Sequence, residues 1–160
     1  MTGDSDDKWV WDFKGFESES EGRPVQRWFD DLPDEAKEEI VDLVVRYLRI
    51  KTKSRWQRPS FDPLEGSCGI SELIPRNITM ETDRGVETLT YRIYGFFGPG
   101  PHVYTFLHGT RKDVKNDEEG KRVACRRLDE LRRRRGATVH TFRFEEKPDE
   151  EALKGHILTN

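Results

Sequence analysis

The second half of the chain contains side chains suited to binding phosphate and transferring protons. Arg92 lies in a run of strand-forming residues, and an arginine can hold a phosphate group through two parallel hydrogen bonds. His108 follows an apolar stretch, and an ordinary pKa of about 6.5 makes histidine the best proton carrier at neutral pH. A cationic segment comes next and contains Arg111, Lys112 and Lys115. Such cations can bind a phosphate or stabilise the negative charge of a transition state.

Each of these side chains also has an ordinary structural explanation. Arg92 can be a surface arginine of a sheet that pairs with Glu72 or Glu87. His108 can be half-buried against the last predicted helix, and the cationic segment after it can be a solvated loop. The residues alone leave these alternatives open.

Three helices are predicted around these residues. A short one covers residues 24–31, and the clearest one runs over residues 34–51. The apolar residues of the latter recur with helical spacing and form one continuous stripe. A third helix is predicted after Asn116, with Glu119 three residues later as in a capping box. It ends in four arginines, 132–135, before Gly136, which suits a helix carboxyl end.

Strand-forming segments account for much of the remaining chain. They cover residues 8–13, 70–74, 88–97, 102–107 and 138–144, and a Gly-Pro-Gly-Pro turn joins the third to the fourth. Residues 52–68 are predicted to form a connector and residues 77–87 a polar loop. In the strand 88–97, Arg92 and Tyr94 share one face if Ile93 points into the core. This order of elements predicts an α+β fold with a mainly antiparallel sheet.

Charge and composition exclude several classes of protein. The 160 residues carry a formal net charge of −3, but the acidic residues concentrate at the two ends and the middle is basic. We expect a disordered segment at 1–7, one domain over 8–144 and an acidic tail over 145–160. No apolar window approaches the length of a membrane helix, and the acidic start does not resemble a secretory signal. A cytoplasmic protein is therefore expected.

Metal and thiol chemistry are only weakly indicated. Cys68 and Cys125 do not make a disulfide scaffold and lack partners at zinc-finger spacing. The four histidines are scattered along the chain. We therefore expect no metal and no cofactor.

Two other segments are rich in basic residues of a kind that can contact a nucleic acid. The arginines 132–135 could bind phosphates, but compensation of the helix dipole and pairing with Asp129, Glu130 or the acidic tail is the preferred interpretation. The sequence Arg-Trp-Gln-Arg at 55–58 could stack a base. A connector that packs Trp56 over the core explains it more simply.

From residue 29 to residue 135 the chain resembles the RelE/ParE toxin superfamily, and most of all its phage-derived HigB-like branch. The resemblance lies in an ordered set of features that follows the predicted helical pair. Gly-Ile-Ser-Glu-Leu at 69–73 and Tyr-Arg-Ile-Tyr at 91–94 are similar to two strands of that branch. Leu-His-Gly-Thr-Arg-Lys-Asp at 107–113 is similar to its Leu-His-Gly/Ala-Phe-x-Lys-Lys segment. An acid-started helix with Ala124 follows, as in the family.

The resemblance implies a RelE-like fold, in which an N-terminal helical pair packs on a small sheet that a C-terminal helix follows. It also implies the toxin of a type II toxin–antitoxin pair. Such a toxin is a metal-independent mRNA endoribonuclease that acts at the ribosome, inhibits translation and is neutralised by a cognate helix-turn-helix antitoxin. No membrane partner is expected.

The resemblance also assigns roles to individual residues. The scissile phosphate would be bound by Arg92, Arg111 and Lys112. His108 would shuttle a proton, and Tyr91 or Tyr94 would orient or stack the base. Further substrate contacts would come from Arg76 and Lys115.

The chain departs from the family pattern at two of these positions. Ile74 stands where the family usually has an arginine, with Arg76 two residues later, and Thr-Arg-Lys at 110–112 replaces Phe-x-Lys-Lys. These departures keep two alternatives open. One is a catalytically inactive RelE-fold binding protein or phage-encoded inhibitor. The other is a ParE-type gyrase inhibitor.

Overall fold

The computed structural model describes residues 10–112 and 117–145. Its helices are α1 (Pro24–Asp30), α2 (Asp34–Val44) and α3 (Glu118–Arg133), with two short 3-10 turns at Leu48–Ile50 and Lys53–Arg55. Its strands are β1 (Asp12–Ser18), β2 (Phe61–Pro63), β3 (Ser71–Leu73), β4 (Ile78–Thr82), β5 (Gly85–Leu89), β6 (Tyr91–Phe97), β7 (Val103–Arg111) and β8 (Ala137–Thr141). The expected disordered segment 1–7 and all but the first residue of the expected acidic tail lie outside the described residues.

Six of the strands form one sheet in the order β2-β3-β6-β7-β1-β8. Neighbouring strands are antiparallel except β1 and β7, which run parallel. Strands β4 and β5 form a separate two-stranded hairpin. The predicted α+β class with a mainly antiparallel sheet is confirmed.

The two faces of the sheet carry separate apolar clusters because side chains alternate along a strand. On one face, Phe13, Ile93 and Phe106 pack with residues of α1 and α2 and with Trp56. On the other face, Tyr94 and Leu107 pack against Ala124 and Leu128 of α3. We call these the α1/α2 face and the α3 face. The helices are held by burial of their apolar stripes, since the apolar area removed from water is the main stabilising contribution.

Helix α2 ends at Val44, so the prediction of one helix over 34–51 is wrong in its last two turns. The carbonyl groups of those turns are bound by distant donors. Backbone N–H groups of Val10 and Trp11 donate to Arg49 O, and the Trp11 indole donates to Lys51 O over 2.7 Å. These bonds satisfy carbonyl groups of the segment that follows α2, which folds into 3-10 turns although the apolar stripe continues.

The polar loop predicted over residues 77–87 is the hairpin β4–β5, and the strand predicted over 88–97 is interrupted at Thr90. The hairpin buries only Ile78 and Leu89, which pack with Ala36 and Tyr91. With so few apolar residues in a polar segment, the period-two signal was too weak to identify the two strands. The first strand also begins later than predicted, at Asp12.

Helix α3 begins after Asp117, whose Oδ1 accepts a hydrogen bond from Gly120 N over 3.0 Å. Asp117 is therefore the N-cap, whereas the predicted cap, Asn116, lies outside the described residues. The helix ends at Arg134 in the left-handed conformation. As expected for the arginines at 132–135, Arg133 pairs with Asp129, over 2.8 Å.

A disulfide joins Cys68, in the β2–β3 connection, to Cys125 of α3, with the two Cα atoms 6.0 Å apart. The two cysteines lie far apart in the sequence, which gave no sign that the fold would pair them. This single cross-link was not predicted, since the sequence indicated no disulfide scaffold and only weak thiol chemistry. Within the described ranges, no helix has the length and apolar character needed to cross a bilayer.

Gly109 of β7 is a position where a side chain cannot be added. A Cβ there would overlap the six-membered ring of Trp28 on the α1/α2 face. We expect Gly109→Ala to lower the free energy of unfolding by about 2 kcal/mol, as overpacking commonly does. Urea unfolding measures the change.

The matched control is Thr110→Ala, at the next position of the same strand. Thr110 points to the opposite face, so we expect a change within about 0.5 kcal/mol. Equal losses in both variants would contradict the packing explanation.

Candidate functional site

The candidate site lies on the α3 face, where three strands place side chains in one row. Glu72 of β3 lies opposite Tyr94 of β6, and Tyr94 lies opposite His108 of β7. Arg92 is opposite Thr110 in the next row. Side chains on the same sheet face in neighbouring rows lie within reach of one another. We call Glu72, Arg92, Tyr94, His108 and Lys112 the sheet-face cluster.

Two cations share the carboxylate of Glu72. Glu72 Oε1 lies 2.8 Å from Arg92 Nε and 3.3 Å from Lys112 Nζ. The side chains retain only 6% exposure for Glu72 and 16% for each cation. The Arg92 Nε–H is not aligned with the carboxylate oxygen and makes no hydrogen bond, whereas Nη1 donates to Tyr91 O over 2.7 Å. The cluster thus has one more positive than negative charge and an arginine donor not committed to a hydrogen bond.

Tyr94 links the cluster to the amino end of α3. Its hydroxyl donates to Asp117 Oδ2 over 3.0 Å, and the other oxygen of Asp117 caps the helix. Burial and the carboxylate of Asp117 raise the pKa of Tyr94 far above its ordinary value. Tyr94 is therefore a permanent hydrogen-bond donor at neutral pH.

His108 is held between Tyr94 and an arginine of α3. Its ring stacks nearly parallel on Tyr94, at 6.3 Å between centroids and 5° between planes. Its Nδ1 lies 3.4 Å from Arg127 Nη1. Burial and the positive charge of Arg127 lower the pKa of His108. Because a guanidinium only donates, Nδ1 is the acceptor and the neutral ring carries its proton on Nε2.

Arg127 is itself fixed by two strong partners. Its Nη1 donates to Leu107 O over 2.8 Å and its Nη2 to Glu21 over 2.7 Å. Burial alone would raise the pKa of Glu21, but its hydrogen bonds with Arg127 and Arg126 lower it to about 2. The carboxylate is ionised throughout the physiological range, so the arginine beside His108 stays in place.

The lowered pKa of His108 predicts a pH dependence of stability. The folded protein favours the neutral ring, so the unfolded chain binds the proton more readily. The stabilisation is present above the unfolded pKa of about 6.5 and is lost as the pH falls through the lower folded pKa. We expect the free energy of unfolding to fall with acidification over this window, and to fall less in His108→Gln.

An NMR titration of the histidine ring protons checks the shift directly. His140, whose pKa burial also lowers, remains in the variant and preserves part of the pH dependence. A His108 midpoint above 6.5 would contradict the assignment.

The fold brings together half of the residues selected from the sequence. Arg92, Tyr94, His108 and Lys112 meet in the sheet-face cluster. Tyr91 does not join them, since it lies on the α1/α2 face among buried residues of α2, β4 and β5. Arg111 lies opposite Tyr91 and is exposed.

One further selected residue, Arg76, also lies apart from the cluster. Arg76 lines a groove of about 390 Å³ beside α2, together with Arg46 and Tyr47. Lys115 lies outside the described residues.

Sequence reasoning missed the residues that position the cluster. Glu72 was considered only as an alternative partner of Arg92, and the structure gives it that contact. Asp117, Arg127 and Glu21 were not selected. Glu21 and Arg127 are far apart in the chain, so no local spacing pattern connects them. The one available signal for Glu72 was that its predicted strand, 70–74, directly precedes the predicted strand of Arg92, 88–97, so that the two strands could pair.

The arrangement combines a carboxylate, cations and a neutral imidazole. A carboxylate can accept a proton, the cations can neutralise a phosphate, and the imidazole Nε2–H can donate a hydrogen bond. In the described part of the chain, no three His, Cys, Asp or Glu side chains are grouped so as to hold a metal ion. A scan against models of protein families and a search of curated proteins both find no match to this chain.

Proposed function

We propose that the chain is a RelE-like endoribonuclease toxin that cleaves mRNA, in association with the ribosome, and belongs to a type II toxin–antitoxin pair. The observation that carries this proposal is the convergence of Glu72, Arg92, Lys112 and His108 on one sheet face beside α3. The resemblance of the motifs in residues 29–135 to the RelE/ParE superfamily supports the proposed family. A cognate helix-turn-helix antitoxin is the proposed partner, and the cytoplasm, where mRNA is translated, is the proposed location.

In the proposed reaction the 2′-oxygen of the RNA attacks the adjacent phosphorus and the bond to the 5′-oxygen breaks. An incoming phosphate competes with Glu72 for Arg92 and Lys112, because both cations bind phosphate as well as carboxylate. The carboxylate released in this way accepts the proton of the 2′-hydroxyl. The two cations then face the negative charge that develops on the phosphate oxygens.

His108 has a different role in this reaction from the proton shuttle expected from the sequence. With Nδ1 turned to Arg127 and a lowered pKa, the neutral ring offers only Nε2–H. It donates a hydrogen bond to the leaving oxygen, on which negative charge grows as the bond to phosphorus breaks. A water molecule protonates this oxygen, and the hydroxide formed takes up the proton held by Glu72, so the products are a 2′,3′-cyclic phosphate and a 5′-hydroxyl. Tyr94 supports the ring by stacking beneath it.

A second candidate function is favoured by the burial of the same groups. Glu72 and its two cations form ion pairs with one another and retain little exposure. Such an ion pair also serves to join strands β3, β6 and β7 in a protein without catalytic activity. A catalytically inactive RelE-fold binding protein fits this observation.

Inducible expression in a bacterium separates these functions. Growth arrest with cleaved transcripts would support the endoribonuclease. Arrest with intact transcripts would contradict it and favour a gyrase inhibitor or another target. Normal growth with well-folded protein present would favour the binding protein. Co-expression of a neighbouring helix-turn-helix gene tests the antitoxin, which should restore growth.

A further inference from the structure

A second surface, remote from the sheet-face cluster, has a strongly biased charge. Residues 43–61 contain six basic and no acidic residues, in a chain where acids outnumber bases. The basic residues are Arg46, Arg49, Lys51, Lys53, Arg55 and Arg58. We call residues 46–58 the basic segment. It connects α2 to β2 and includes both 3-10 turns.

The basic segment is anchored to the core by Trp56. The Trp56 side chain is buried in the cluster of the α1/α2 face, 5.1 Å from both Trp11 and Phe97 between ring centroids. Its Nε1 donates to Leu48 O and Lys51 O over 3.1 and 3.2 Å. These contacts fix the backbone from the first turn to the second. Because the backbone that carries the cations is already ordered, a partner that binds them loses little conformational entropy of this loop.

Three cations of the segment have no carboxylate partner in the described part of the chain. They are Lys51, Lys53 and Arg55, whereas Arg46 pairs with Glu38 and Asp42, and Arg58 pairs with Asp62. The ammonium groups of Lys51 and Lys53 lie over aromatic rings instead, 5.4 Å from Tyr47 and 4.3 Å from Phe97. Their charges remain available to an external anion.

The other side chains of the surface suit a nucleic acid. Thr52, Ser54 and Gln57 are exposed, and such side chains commonly donate to phosphate oxygens. Tyr47, which lies within the segment, is 42% exposed, and an exposed aromatic ring can stack on a base.

An amphipathic segment that binds in a membrane interface has exposed apolar residues beside its cations. The large hydrophobic residues exposed in the described ranges are Tyr47 and Val86, and Val86 lies on a different element, β5. The side chains therefore favour RNA over a lipid surface.

The basic segment and the sheet-face cluster lie on opposite faces of the sheet. Lys53 lies over Phe97 at the end of β6, on the α1/α2 face, whereas Arg92 lies near the start of β6 on the α3 face. At about 3.3 Å per residue, the two ends of this strand segment are about 17 Å apart. We propose that the basic segment, with Tyr47, binds the backbone of single-stranded RNA as an anchor separate from the sheet-face cluster.

The test is a binding measurement on the full chain and does not depend on cleavage. The fluorescence anisotropy of a labelled oligouridylate is followed over a range of salt concentrations. The variant is the triple change Lys51→Ser, Lys53→Ser and Arg55→Ser. Loss of three phosphate contacts should reduce the slope of log affinity against log salt by about 2, since each contact with a single strand contributes about 0.7.

The matched control removes three exposed arginines from the end of α3, by Arg132→Ser, Arg134→Ser and Arg135→Ser. Its net charge changes equally, so non-specific attraction would weaken both variants alike. Tyr47→Ala should weaken binding without changing the slope, whereas Tyr47→Phe should bind like the wild type. Thermal unfolding of every variant verifies the fold.

Several outcomes would overturn the proposal. They are no binding by the wild type, equal losses in the two triple variants, and displacement of the RNA by polyglutamate at equal charge concentration. The last would indicate an acidic protein partner. Binding without cleavage of an mRNA would support the anchor and contradict the endoribonuclease, so the two proposals fail separately.

Discussion

Replacing Arg92 with alanine is expected to lower the rate of RNA cleavage by about 10²–10³-fold, the usual effect of removing one preorganised donor to a developing charge. Arg92 is the cation whose Nε–H is not already used in a hydrogen bond. The fold should survive, because Lys112 remains 3.3 Å from Glu72 and still compensates its charge. Cleavage rates on a defined mRNA and urea unfolding of the same preparations measure both quantities.

The matched control is Arg111→Ala, which removes an arginine from the same pair of strands. Arg111 lies opposite Tyr91, away from Glu72, so its removal should change cleavage by less than tenfold. Arg92→Lys retains the charge but loses the planar donor geometry, and intermediate activity is expected. Wild-type cleavage by Arg92→Ala would contradict the assigned site. A large loss of stability with intact cleavage would show that the cluster joins the strands and does no chemistry.

Reduction of the Cys68–Cys125 disulfide is expected to lower the free energy of unfolding by about 4 kcal/mol. The two cysteines are separated by 57 residues, and cross-linking so long a loop restricts the unfolded chain by roughly this amount in the chain-entropy model. Urea unfolding with and without dithiothreitol measures the difference. In a reducing cytoplasm, where structural disulfides are rare, the protein would lack this stabilisation.

The double variant Cys68→Ser/Cys125→Ser provides the control. Its unfolding midpoint should match that of the reduced wild type and should not respond to dithiothreitol. A midpoint equal to that of the oxidised wild type would show that the cross-link contributes no stability. The hydrogen bond between Tyr94 and Asp117 does not involve the cysteines, so any change in cleavage on reduction would report a movement of α3.

The sequence predicted those helices whose ends are determined locally. Pro24 at the start of α1 and the acidic first turn of α3 are signals that neighbouring residues provide. The segment after α2 is held by Trp11, which is distant in sequence and donates a hydrogen bond to the carbonyl of Lys51. The sequence pattern of the helix itself gives no sign of a hydrogen bond to a residue so far away.

In the candidate site, too, features determined by neighbouring residues were predicted, and features that depend on residues distant in sequence were not. Period two correctly placed Arg92 and Tyr94 on one face. On β7 the period fails, because a bulge leaves Leu107 without a partner between Phe106, which pairs with Gly95, and His108, which pairs with Tyr94. Leu107 and His108 therefore both contact the α3 face, although they are adjacent in sequence. Glu72 reaches Arg92 only through the pairing of β3 with β6, which requires the tertiary fold.

The position of β1 has a consequence for how the protein is made. This strand lies inside the sheet, between β7 and β8, although it is the first strand of the described chain. During synthesis both of its edges, and apolar residues such as Phe13 and Phe16, lack their partners until β7 and β8 have left the ribosome. Pairings between strands so distant in sequence fold slowly, and unpaired edges invite aggregation. We therefore expect the nascent chain to be prone to aggregation until the last strand of the sheet, β8, has been translated.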